Sequence, residues 1–205
     1  MRKSTFSTLA LVGAILGFSA SHAGASEANA RAFMVTAGKT AQPIGHYEFC
    51  RSHEDECSVL SATAPRVRLT PELWNQLVAV NASVNLSIVP ATDEEVYGRD
   101  EVWAYPERKG DCEDLVLLKR RDLIEKGWPV GALLVTVVRQ KNGEGHAVLT
   151  ALTDRGDLVL DNLQPRVLVW NETEYTYLKR QSELNSGQWM SIEDARMTAV
   201  GSLTR

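Results

Sequence analysis

The sequence predicts an α+β fold in which N-terminal helices pack on an antiparallel β-sheet. Residues 70–127 contain two segments with apolar residues at helical spacing, whereas residues 132–192 contain short segments rich in Val and Leu that are separated by turns. The length of 205 residues suits one domain with a substantial core. We therefore expect the helices and the strands to form a single unit.

The first helix is marked by its N-terminus. Thr70 is a favourable N-cap, and Pro71 suits the first helical position. Asn81 and Asn85 share one face of this helix, where they either order a following loop or remain solvent-exposed amides. The helix is expected to run to about residue 85, with its apolar residues at Leu73, Leu77, Val80 and Val84.

A long surface connection is expected between this helix and the second, because Pro90, Gly98 and Pro106 interrupt any regular pattern. The second helix opens at Asp111 and ends before Gly127. Acidic residues at its start and basic residues in its later half match the helix dipole. Its apolar face comprises Leu115, Leu118, Leu123 and Ile124.

The strands follow the second helix. An Asn142-Gly143 turn joins the first two strands, and a turn at residues 154–157 joins the second to the third, which predicts an antiparallel meander. Five strands are expected, at residues 132–139, 146–152, 158–161, 175–180 and 188–192.

The segment 1–23 has the features of a secretory signal. A basic start and an apolar stretch precede a small-residue cleavage site near Ala23 or Ala25. An uncleaved anchor is the alternative, but the apolar stretch is shorter than the roughly 20 residues that span a bilayer. We expect export, no membrane span after cleavage, an N-terminal arm at 24–45 and the main domain at 46–205.

The charge balance argues against nucleic-acid and membrane-surface partners. Removal of Arg2 and Lys3 with the signal leaves 20 basic and 26 acidic residues, a net charge of −6. Neither a basic patch nor a basic amphipathic helix is evident in the sequence. A mildly acidic, solvated surface is expected instead.

The three cysteines divide into a pair and a single residue. Cys50 and Cys57 flank a polar hexapeptide, and an oxidising compartment favours a disulfide between cysteines this close in sequence. A metal site formed with His46 and His53 is the alternative, although the spacing does not match a paired-thiolate motif. Cys112 is left unpaired, so it is either an intermolecular partner or a free reactive thiol.

Cys112 lies at the start of the second helix. A sulfur there is close to the positive end of the helix dipole and to unpaired backbone N–H groups, which favours the nucleophilic thiolate. Burial as a small apolar side chain is the alternative, but polar residues flank Cys112 on both sides. The sequence therefore favours a nucleophile.

His146 and Asp161 are expected to meet at one edge of the meander. His146 begins the second strand and Asp161 ends the third, and a short hairpin brings such positions together. A carboxylate that binds an imidazole orients it and stabilises its protonated form. With Cys112, these residues have the composition of a catalytic triad.

Three segments resemble the motifs of the bacterial transglutaminase-like cysteine peptidases, a family that includes the periplasmic LapG-type proteases. They are GDCED at residues 110–114, GHAVL at 145–149 and VLDNL at 159–163. The resemblance implies a papain-like fold and a periplasmic or envelope protein as substrate. It also implies that Cys112 is the nucleophile, His146 the general base and acid, and Asp161 its orienting partner. Transglutaminase-type amide exchange and a non-catalytic calcium-binding module are the alternatives.

The same resemblance implies calcium, because LapG-type members depend on it. Asp111, Glu113 and Asp114 are the corresponding acidic residues, and carboxylate oxygens suit this ion. Alternatively, these residues only cap the helix and complement its dipole. No organic cofactor is expected. Trp103 is either a donor to the oxyanion through its indole N–H or an ordinary core aromatic residue.

Overall fold

A computed structural model describes residues 32–63 and 66–194. The predicted signal at 1–23 therefore lies outside the described residues. Within the described part of the chain, no helix has the length and apolar character needed to cross a membrane.

In residues 32–63 and 66–194, both predicted helices are present, together with three shorter α-helices. The first predicted helix begins at Pro71, and the Thr70 Oγ1 caps it by accepting a hydrogen bond from the Leu73 N–H at 3.3 Å. The second begins at Cys112, directly after Asp111. The helices are α1 (Ile44–Ser52), α2 (Glu54–Cys57), α3 (Pro71–Ser87), α4 (Asp93–Tyr97) and α5 (Cys112–Glu125).

The five predicted strands are present, each within two residues of the expected bounds. Four short strands add to them, so that the described residues contain β1 (Thr36–Thr40), β2 (Val89–Pro90), β3 (Lys109–Gly110), β4 (Leu133–Arg139), β5 (Gly145–Thr153), β6 (Gly156–Leu160), β7 (Leu168–Val169), β8 (Thr176–Gln181) and β9 (Trp189–Ile192). Seven strands form one antiparallel sheet in the order β1-β9-β8-β4-β5-β6-β7. The helices pack on this sheet, which confirms the predicted α+β class.

The connection between α3 and α5 is more ordered than the sequence suggested. Thr92 and Glu95 form a capping box that starts α4, and Gly98 ends it with a left-handed backbone (φ 68°). The short strands β2 and β3 then pair in parallel. The connection therefore returns on itself and brings α4 beside the start of α5.

The helix α5 lies at the centre of the packing. It contacts α3 on one side and strands β4 and β5 on the other. Leu115, Val116 and Leu117 in its first half are all buried. Because α5 is fixed in this way, its first turn is held next to the beginning of β5.

Cys50 and Cys57 form a disulfide with an S–S distance of 2.01 Å, which joins α1 to α2. The alternative metal site does not form in this state, since both thiols are used in the bond. His46 packs near Cys50, with 3.5 Å between its Nδ1 and the sulfur, whereas His53 stacks on the Phe49 ring.

Candidate active site

Cys112 is the first residue of α5 and is a free, half-buried cysteine. It lines a cleft of about 430 Å³ together with His146, Trp103 and Val137. Its Sγ donates a hydrogen bond to the Glu113 Oε2 at 2.8 Å. Cys112 and His146 therefore face a common space.

The environment of Cys112 differs from the one expected at a helix N-terminus. Burial and the neighbouring Glu113 carboxylate raise the pKa of the Cys112 thiol well above its ordinary value, while the backbone N–H of Ala147 acts in the opposite direction. Nearby negative charge and loss of solvent therefore oppose the thiolate that the helix dipole favours.

The side chains of His146 and Asp161 contact each other at the end of the β5–β6 hairpin that lies opposite its turn. The register pairs Leu149 with Leu160, and side chains alternate along a strand, so His146 and Asp161 lie on the same face of the sheet. The His146 Nε2 and the Asp161 Oδ1 are 2.8 Å apart, and both side chains are buried. The hairpin between β5 and β6 thus brings the two predicted residues together.

Both carboxylate oxygens of Asp161 accept hydrogen bonds. Its Oδ1 also accepts a hydrogen bond from the Leu163 N–H at 3.0 Å, and its Oδ2 accepts one from the Tyr175 hydroxyl at 2.5 Å. Burial raises the pKa of Asp161, but the hydrogen bonds and charge of His146 and the bond from Tyr175 outweigh it, and the net pKa is lowered. Asp161 is therefore held as a carboxylate.

The two asparagines of α3 order the segment that follows Asp161. The Asn85 Nδ2 donates to the Asp161 backbone oxygen at 2.8 Å, and the Asn81 Nδ2 donates to the carbonyl oxygens of Gln164 and Pro165. These bonds order a loop, but it is the loop after Asp161 and not one that directly follows α3. The loop lies 76 or more residues further along the chain.

An acidic cluster lies beside Cys112. It consists of Asp93, Asp111 and Glu113, whose carboxylate oxygens approach within 4.8 Å of one another. Burial raises the pKa of Asp111 and of Asp93, and the neighbouring carboxylates add to both shifts. Asp93 Oδ1 and Asp111 Oδ1 are buried without a hydrogen-bond partner among the described residues. The negative charge of these buried carboxylates is therefore only partly compensated by hydrogen bonds.

Asp93 was not predicted from the sequence, and Asp114, predicted as a further ligand, binds the backbone before α5 with one of its oxygens. The Asp114 Oδ1 accepts a hydrogen bond from the Ala104 N–H at 2.7 Å, so this side chain anchors the connection that precedes α5. It lies next to the acidic cluster, and burial raises its pKa to about 7. The capping box of Thr92 and Glu95 is the sequence signal that could have placed Asp93 on a helix.

Asp111 occupies the N-cap position of α5 but makes no side-chain cap hydrogen bond. The capping alternative therefore does not account for Asp111. The acidic cluster fits a calcium ion by its chemistry, since it offers hard carboxylate oxygens with unused lone pairs. Calcium prefers about six to eight oxygen ligands, so backbone carbonyl groups or water would have to supply the others.

Trp103 is buried and lines the same cleft as Cys112. Its Nε1 has no hydrogen-bond partner among the described residues. Gly45 of α1 lies directly against the indole ring, and any Cβ there would overlap it. Trp103 is thus fixed in position with an unused N–H donor.

Comparisons with known proteins identify the relatives of this chain. The family described as "Bacterial transglutaminase-like cysteine proteinase BTLCP" matches residues 36–197. No curated protein matches the sequence at a significant level.

Solved structures of LapG from Legionella pneumophila are similar in fold. The calcium-bound form is 21% identical, with a TM-score of 0.51, over 67% of this chain and 83% of that one. The EGTA-treated form is 24% identical, with a TM-score of 0.50, over 63% and 75% of the two chains. A third LapG structure is 24% identical, with a TM-score of 0.50, over 66% and 76%.

Proposed function

Because the chain belongs to the family of bacterial transglutaminase-like cysteine proteinases, we propose that it is an exported cysteine endopeptidase that cleaves a periplasmic or envelope protein. One observation carries the proposal: Cys112 and His146 line a common cleft, and the buried Asp161 binds His146 at 2.8 Å. Membership of the family implies a protein substrate, and the signal-like segment 1–23 supports the periplasm as the location.

In the proposed reaction Cys112 is the nucleophile and His146 the general base and acid. The thiol proton passes to His146 while the sulfur attacks the carbonyl carbon of the scissile amide. The tetrahedral intermediate collapses with cleavage of the C–N bond, and the proton on His146 goes to the departing amine. Water, deprotonated by His146, then hydrolyses the thioester and restores the thiol. Asp161 orients His146 throughout.

The oxyanion of the intermediate requires donors beside Cys112. The backbone N–H of Cys112 is one, because the first N–H groups of a helix have no partner within it. The indole N–H of Trp103 is the second in our proposal. Two observations support Trp103: it lines the cleft, and its Nε1 is unpartnered among the described residues.

We assign the acidic cluster to calcium. Asp93, Asp111 and Glu113 would hold the ion, with Asp114 supporting the loop beside them. A bound calcium ion supplies positive charge that offsets three crowded carboxylates next to the nucleophile. The calcium-bound form among the structural relatives supports this assignment.

The test compares the mature protein with its Cys112→Ala variant. Each is incubated with envelope proteins of the source cell, in calcium or in a chelator, and new N-termini are mapped by mass spectrometry. We expect new termini only with the intact Cys112, and fewer of them in the chelator.

Two other outcomes would contradict this expectation. Equal termini with both proteins would show that another protease is responsible. An absence of new termini in all conditions would contradict a peptidase, and a parallel incubation with a labelled primary amine would then detect amide exchange.

A further inference from the structure

Tyr175 contacts both partners of the buried ion pair. Its hydroxyl donates to the Asp161 Oδ2 at 2.5 Å, and its ring centroid lies 5.5 Å from that of His146. It precedes β8 directly, so a different part of the sheet supplies it from the one that supplies His146. From the sequence, Tyr175 was predicted only to begin a strand.

The two oxygens of Asp161 are used by different donors. Oδ1 accepts from His146 and from the Leu163 N–H, whereas Oδ2 accepts from the Tyr175 hydroxyl. A buried carboxylate oxygen without a donor is costly, so Tyr175 fixes which oxygen faces His146. The rotation of the carboxylate is thereby restricted.

A hollow of about 360 Å³ borders Asp161. Asp161 and Tyr175 both line it, together with Leu163 and Arg166. Removal of the hydroxyl would therefore leave the Oδ2 next to a space that water can enter, rather than next to a fixed donor. A replacement water hydrogen-bonds well but does not hold one orientation.

We propose that Tyr175 is a positioning residue of the peptidase, which holds Asp161 so that its Oδ1 stays directed at His146. This inference rests on the proposed function for its meaning in catalysis. The hydroxyl touches neither the substrate nor the sulfur in this account and acts through Asp161 alone.

The pKa of Asp161 depends on the titratable groups that face it. The titratable groups that face it are His146 from β5, Tyr175 from the segment before β8, and Lys119 from α5. The hydrogen bond from Tyr175 helps to lower the pKa of Asp161. Burial and the Asp161 charge raise the pKa of Tyr175, so the hydroxyl stays protonated and remains a donor.

The experiment is a pH profile of the Tyr175→Phe variant, measured with saturating calcium on a substrate identified by the terminus mapping. We expect kcat to fall about tenfold with KM almost unchanged, since one hydrogen bond to a charged group is lost. The acid limb of kcat/KM should move to higher pH, because Asp161 gains a proton more easily. Tyr47→Phe, at an exposed position on α1, is the matched control and should change neither quantity.

A second variant distinguishes the loss of the hydrogen bond from a general change in structure. Site-specific 3-fluorotyrosine at position 175 keeps the shape of the ring and makes the hydroxyl a stronger donor, so the acid limb should move to lower pH. Shifts of opposite sign in the two variants would support the inference. An acid limb that stays in place in both variants would overturn it.

The outcome can be separated from a failure of the proposed function. The rate at which iodoacetamide alkylates Cys112 is measured against pH in the same variants, and it requires no substrate. If the wild type cleaves nothing yet its alkylation profile moves with Tyr175, the peptidase proposal fails while the positioning role stands. Identical alkylation profiles in a cleaving enzyme would refute the positioning role alone.

Discussion

Two buried carboxylate sites lie on either side of Cys112, and they are electrostatic opposites. The carboxylate of Asp161 accepts hydrogen bonds on both oxygens, and its pKa is lowered. In the acidic cluster, Asp93 and Asp111 each have one buried oxygen without a donor in the described part of the chain, and the pKa of each is raised. Burial disfavours the charge at both sites, so the difference comes from the donors that the chain supplies.

This difference separates a site that the chain completes from one that requires a cation. Asp161 needs no ion, because His146, Leu163 and Tyr175 stabilise its charge. In the acidic cluster three carboxylates face one another, and Asp93 and Asp111 each have a buried oxygen without a donor among the described residues. A ligand that binds only the folded state stabilises it, so calcium should change the stability of the protein through the acidic cluster and not through Asp161.

The largest expected effect is that of Asp161→Asn. The amide cannot hold His146 in the required tautomer, and we expect kcat to fall by about 10³- to 10⁴-fold. Calcium affinity, measured by isothermal titration calorimetry, should stay the same. Asp55→Asn, an exposed acidic position on α2, is the control. Retention of more than a tenth of the wild-type kcat would show that Asp161 does not orient His146.

The second effect tests the acidic cluster. Asp111→Asn removes one charge and should weaken calcium binding by about 10- to 100-fold, while in the chelator its melting temperature should exceed that of the wild type because repulsion is relieved. Calorimetric titration and thermal melting measure the two quantities. Glu94→Gln changes an exposed acid on α4, next to Asp93 but outside the acidic cluster, and should affect neither. Unchanged calcium affinity in Asp111→Asn would place the ion elsewhere.

The smallest effect concerns Lys119, which interacts electrostatically with Asp161. Lys119 is fully buried, and burial lowers its pKa to about 7 against the opposing charge of Asp161. The unfolded chain binds this proton more tightly than the folded protein does. The free energy of unfolding therefore increases as the pH rises from about 7 to about 10.4, and the destabilisation caused by the buried charge of Lys119 is largest below pH 7. Lys119→Met should therefore raise the free energy of unfolding at pH 6 by about 1 kcal/mol or more.

Thermal and urea unfolding at pH 6 and pH 9 check this expectation. The advantage of Lys119→Met should be smaller at pH 9 than at pH 6. Lys126→Met, at the exposed end of the same helix, serves as the control and should show no such pH dependence. A variant that is less stable than the wild type at both pH values would mean that Lys119 is stabilised by contacts that outweigh its burial.

Features set by local sequence were predictable from the chain itself. Thr70 and Pro71 mark the start of α3 by a cap that involves only neighbouring residues. The disulfide joins cysteines seven residues apart, and a short hairpin fixes the relative positions of His146 and Asp161. In each case a turn, a cap or a strand register operates over a few residues, so the pattern alone contains the information.

Features set by contacts between distant segments were not predictable. Asp93 joins Asp111 only because the connection after α3 folds back, and Tyr175 reaches Asp161 only because its segment returns to the same edge of the sheet. The raised pKa of Cys112 likewise depends on how deeply α5 is buried. The sequence by itself therefore determined the residue types, the helix and strand pattern and the pairing of His146 with Asp161. The tertiary structure decided which carboxylates have donors and which do not, because solvent exclusion and hydrogen-bond partners arise only when distant segments pack together.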